Sequence, residues 1–70
     1  MRLKELREDA DIRQKDIANY LHVQQNTYSQ YENSQRQVPV WVVVKLAVYY
    51  NVSSDYILEL TNIKKPYPKK

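Results

Sequence analysis

Glycine is absent from this 70-residue chain, where average usage would supply about five. Any helix end or tight turn that needs a positive φ must be built from residues carrying a Cβ, at some energetic cost. A Gly-rich phosphate-binding loop is excluded as well. Cysteine is also missing, so neither disulfides nor thiolate metal sites can stabilise the fold. There is one histidine, His22, too few for a metal centre. With no nucleophile–base pairing and no room for a cleft, the chain is not expected to be an enzyme or to need a cofactor. Long apolar runs are absent too: the longest is seven residues, with Pro39 inside it. That run and the charged start MRLKELRED exclude a membrane span and a signal peptide, so the cytoplasm is the expected location.

What is present is enough for a small helical core. Hydrophobic residues make up 43% of the sequence, and a chain of this length forms one domain near the lower limit for unaided folding. Leu3, Leu6 and Ala10 form an apolar stripe at helical spacing, predicting a first helix over 2–9 with Ile12 tucked under its end. Ile17, Ala18 and Leu21 share one face of a second helix over 14–21. Tyr28 and Tyr31 anchor a third over 25–33, with the Tyr28 hydroxyl expected to reach the surface. The run from Val40 favours a strand by propensity. The spacing of Val43, Leu46, Ala47 and Tyr50 nevertheless predicts a fourth helix over 40–51, led in by Pro39. Ser53 reads as the N-cap of a fifth helix carrying Tyr56, Ile57, Leu58 and Leu60. The expected organisation is an all-α, five-helix domain over 1–61, followed by a short basic tail over 62–70.

Charge alone says little about partners. Residues 64–70, KKPYPKK, hold four lysines, whereas residues 1–63 hold seven basic and eight acidic side chains, a net of −1. The informative stretch is QKDIANYLHVQQNTYSQYENS, residues 14–34, two short amphipathic helices joined by a tight connection. The outer face of the second carries Gln25, Asn26, Thr27, Ser29 and Gln30, all neutral hydrogen-bonding side chains where a structural helix usually shows Lys and Glu. Gln and Asn can bond bidentately to adenine in the major groove. This pattern predicts a helix-turn-helix at helices 2 and 3 and double-stranded DNA as partner. Gln14, at the positive end of the second helix, is suited to hold a phosphate.

Over nearly its full length the chain resembles the phage repressor/Cro-type helix-turn-helix proteins, the XRE family. The resemblance is carried by LREDADIRQKDIANYLHV, QQNTYSQYEN and VPVWVVVKLAVYYNVSSDYIL. It implies a sequence-specific transcriptional regulator, a repressor before an activator. Gln25, Asn26 and Gln30 match base-reading positions, Gln14 and Thr27 match backbone-contacting ones, and Arg36 is a phosphate contact by position. Lys15 and Asn33 are weaker candidates. Arg7 and Glu32 match a pair that ties helix one to helix three, and Ala18 keeps the helix crossing close. His22, Ser34 and Glu59 stand where relatives carry Gly. Arg13 and Gln24 occupy N-cap positions that Ser, Thr or Asn would fill better by about 1 kcal/mol each.

One surplus remains. Trp41, Val44 and Val48 form a second apolar stripe on helix four, away from the expected core face. A homodimer contact, placing two recognition helices about 34 Å apart on DNA, is one reading. A core that simply wraps around this helix is the other. An antitoxin-like module, binding a protein partner through this stripe and the tail, is the alternative to a regulator.

Overall fold

A computed structural model describes residues 1–65 of the protein. The elements are α1 (Leu3–Asp9), α2 (Gln14–Leu21), α3 (Gln25–Glu32), α4 (Val40–Tyr50) and α5 (Ser54–Ile57). No strand occurs among the described residues, so the all-α, five-helix architecture is the observed one. The chain divides into two compact units: Leu3–Val38 with α1 to α3, and Met1–Arg2 joined to the chain from Pro39 onward, with α4 and α5.

Each helix ends in the same way, and the residue that makes the ending is never glycine. Asp11, His22, Ser34, Asn51 and Glu59 all adopt left-handed backbone, with φ between 55 and 64°. In every case the N–H of that residue bonds to a carbonyl three residues back. The next N–H bonds to one five back, as in Val23 to Ala18 at 3.0 Å and Gln35 to Gln30 at 2.9 Å. These are Schellman motifs, which satisfy the last carbonyls of a helix and usually use Gly at the left-handed position. His22, Ser34 and Glu59 were legible as such sites; Asp11 and Asn51 were not. At the other ends, Arg13 and Gln24 precede α2 and α3 with no side-chain cap. Only α5 has the expected cap, the Ser53 hydroxyl accepting from the Tyr56 N–H at 3.0 Å.

In the first unit Leu3, Leu6, Ile17, Ala18, Leu21, Tyr28 and Tyr31 are buried. Ala18 sits where α2 and α3 pack on one another, and a larger side chain there would force them apart. Ala10 falls in the turn after α1 and is exposed, so the stripe ends with Leu6. Tyr28 differs from expectation: its hydroxyl is buried with the ring and does not reach the surface.

In the second unit Val42, Val43, Leu46, Val52, Tyr56 and Ile57 are buried. The valine run is helical because burial of this face outweighs the modest strand preference of β-branched residues. Leu60 lies beyond α5 and is exposed. Arg2 belongs to this unit rather than to α1. Its guanidinium lies 4.5 Å from the Tyr56 ring centroid and donates to the Tyr56 carbonyl and to Asn62. The segment after α5 is tied back by the Ser53 N–H, which donates to the Lys64 carbonyl at 2.9 Å. Within the basic tail expected over 62–70, Lys64 is thus tied back to Ser53; residues 66–70 lie outside the described residues.

Candidate nucleic-acid interface

The turn between α2 and α3 is set by His22 and Val23. With His22 left-handed at φ 59°, the chain reverses in three residues and α3 begins at Gln25. Gln25 and Asn26 are exposed on its first turn, and Gln30 is half-buried one turn later. Together with Gln14 from the start of α2, Ser29 and Gln35, they line one open groove. Its lining contains no charged side chain. Of the six predicted contact residues, four therefore meet in this groove: Gln14, Gln25, Asn26 and Gln30. Thr27 and Arg36 lie off its rim. Arg36 is nonetheless linked to it, its Nε–H donating to the Gln30 Oε1 at 2.9 Å. Gln35 was not anticipated. Its only signal was a position just past α3, where the Schellman turn folds the chain back.

Beneath the groove a buried polar cluster fixes the two helices. The Glu32 carboxylate, its side chain only 1% exposed, receives both arms of the Arg7 guanidinium, at 2.6 and 3.2 Å. This is the expected pair in the bidentate form that holds a carboxylate best. Arg7 also donates to the Ile12 carbonyl at 3.0 Å. Gln14 reaches across from α2 to donate its Nε2 to Glu32 at 3.1 Å. Burial pushes the Glu32 carboxyl up, but the hydrogen bonds from Arg7 and Gln14 outweigh it, and the group lies below the ordinary carboxylate range. Hydrogen bonding to Glu32 likewise holds the Arg7 guanidinium more firmly protonated. Thus α1, α2 and α3 converge on one carboxylate. The amide of Gln14 keeps its carbonyl oxygen and one N–H for an outside partner.

A second ion pair of the unit lies at its surface. Arg13 pairs with Asp16 at 3.1 Å, a hydrogen bond that lowers the Asp16 carboxyl and raises the guanidinium. Both are exposed, so the pair contributes little to stability. On the second unit, Trp41, Val44 and Val48 are 47, 52 and 73% exposed, so the surplus stripe of α4 lies outside the buried core. No helix among the described residues is long and apolar enough to cross a membrane.

Comparison with known proteins agrees with this geometry. Residues 3–57 match the family described as Helix-turn-helix. The HTH-type transcriptional regulator ImmR of Bacillus subtilis is 39% identical over 64 residues, covering 91% of this chain and 50% of that protein. A second protein of the same organism, the uncharacterized HTH-type transcriptional regulator YobD, is 34% identical over 65 residues, 93% of this chain and 58% of its own length. The chain thus spans about half the length of these relatives. No solved structure matches significantly. With its left-handed turn at His22, its uncharged α3 face and this similarity from end to end, the chain belongs to the XRE-type helix-turn-helix family of transcriptional regulators.

Proposed function

We propose that this protein is a sequence-specific repressor that lays α3 in the major groove of double-stranded DNA. The observation that carries the reading is the uncharged amide groove formed by Gln14, Gln25, Asn26 and Gln30. Amides with both a donor and an acceptor suit base edges, whereas a lysine-rich surface would bind phosphate with no preference for sequence. In this reading Gln25, Asn26 and Gln30 contact bases. Gln14, Thr27 and Arg36 hold phosphates, Gln14 through the N–H not given to Glu32. The exposed stripe of Trp41, Val44 and Val48 joins two copies across a two-fold axis, so that inverted half-sites are read about one helical turn apart.

Gln25→Ala tests the base-reading assignment. Binding to the preferred duplex should weaken about 5- to 100-fold, the worth of one bidentate contact, while binding to random duplex stays unchanged. Titration of both duplexes at one salt concentration gives the comparison, and an equal fall on both contradicts the assignment.

A second reading is favoured by the same apolar stripe: an antitoxin-like module whose α4 face binds a different protein. Sedimentation separates the two. A dimer on a two-site duplex supports the repressor, whereas one copy per duplex with no preference between sites supports the partner module.

A further inference from the structure

We infer that Arg36 is a positioning residue for Gln30, fixing the order of donor and acceptor that Gln30 presents; the inference rests on the DNA-reading role proposed for α3. A half-buried glutamine whose amide still reaches solvent can turn its carboxamide over, exchanging oxygen for NH2. Such a side chain presents two opposite hydrogen-bond patterns and discriminates poorly between bases, because each pair in the major groove is told apart by the order of its donors and acceptors. Here the turned-over form is disfavoured. The Arg36 Nε–H donates to the Gln30 Oε1 at 2.9 Å, and turning the amide over would set donor against donor. The oxygen keeps a second lone pair and Nε2 keeps both hydrogens. The reading edge is therefore intact, with its direction set.

The backbone explains how Arg36 comes to this place. Ser34 is left-handed at φ 59°, and the Gln35 N–H closes onto the Gln30 carbonyl at 2.9 Å. The chain therefore folds back along α3 and delivers Arg36 beside the residue six positions earlier. Gln35 is carried onto the groove by the same turn. The link is made within the folded unit and is in place before any DNA arrives, so the amide is ordered in advance.

The test is selection of bound sites from a random duplex library by the full chain, as wild type, Gln30→Ala, Arg36→Met and the double variant. Gln30→Ala identifies the position that Gln30 reads, as the one whose preference it abolishes. Arg36→Met is expected to reduce preference at that same position about tenfold, leave the other positions alone, and add nothing in the Gln30→Ala background. Arg36 is exposed, so the variant keeps its fold, which a thermal melt verifies. If Arg36→Met lowers binding equally on all sequences, Arg36 is a phosphate contact only and the inference fails. A change at a different position overturns it equally, since Arg36 then reads a base itself. Enrichment of no motif by the wild type removes the DNA-reading role itself, and this inference with it.

Discussion

Arg7→Met is expected to leave the protein unfolded, or nearly so, at physiological temperature. The substitution keeps the length of the side chain but strands the Glu32 carboxylate, 1% exposed, without its cation. Removing one partner of a buried ion pair costs about 3–5 kcal/mol. Domains hold roughly 0.05–0.15 kcal/mol of stability per residue, so this loss is comparable with the whole stability of a chain of 70 residues. Glu32→Gln should be milder, because it removes the charge and keeps an acceptor for Arg7 and a similar volume. Chemical denaturation of the three proteins gives the ranking directly. Melting temperatures close to wild type for Arg7→Met would show that the pair is peripheral.

The same cluster sets a pH dependence. The folded Glu32 carboxyl lies below its ordinary value of 4.5. Its contribution is therefore fully present above that value and is lost as pH falls through the folded pKa. Acidification from pH 6 should lower the melting temperature of the wild type, and Glu32→Gln should flatten that part of the profile. In Arg7→Met, followed at a temperature low enough for the variant to fold, desolvation is no longer opposed by the guanidinium, so acid should cost this variant less than the wild type.

The second large effect is stabilising. Non-glycine residues in left-handed backbone lose about 1–2 kcal/mol relative to their preferred conformations, and glycine returns part of that gain through its freer unfolded chain. His22→Gly, Ser34→Gly and Glu59→Gly should each add about 0.5–1 kcal/mol. Combined, they should raise the melting temperature by on the order of 10 °C, at about 4–8 °C per kcal/mol for a domain of this size. Asn51→Gly serves as the contrast, since Asn tolerates the left-handed region and its replacement should be close to neutral. Equal gains at Asn51 and His22 would argue that something other than backbone conformation is responsible. Ser34→Gly also preserves the turn that brings Arg36 to Gln30, so base preference should survive the stabilisation.

The order of helices was legible in the sequence, because hydrophobic period and helix-stop geometry are local properties. The bounds of α2 and the Ser53 cap follow from residues within one turn of each feature, whereas the left-handed turn at His22 was legible through the family resemblance, which implies Gly at that place. The uncharged face of α3 was legible locally as well, since Gln25, Asn26 and Gln30 all lie on one short helix. What was not legible depends on how helices cross. Gln14 and Glu32 are 18 positions apart, and no spacing rule predicts that the amide offered to a phosphate also braces a buried carboxylate. Tertiary packing also buries the Tyr28 hydroxyl, which periodicity alone would place at the surface. Val42 joined the core although its position had been left outside the predicted face of α4, a matter of a single step around the helix. Gln35 and the Arg36 link depend on a Schellman turn in a sequence without glycine, the residue that ordinarily announces it.

If the amide face of α3 reads DNA as proposed, the protein prefers one duplex sequence over others. Selection from a random duplex library at roughly 150 mM salt tests it most directly, because screening at that concentration suppresses binding by charge alone. The expected result is enrichment of one motif, arranged as an inverted repeat with half-site centres about one helical turn apart. Recovery of unenriched sequences, bound only at low salt, would contradict it.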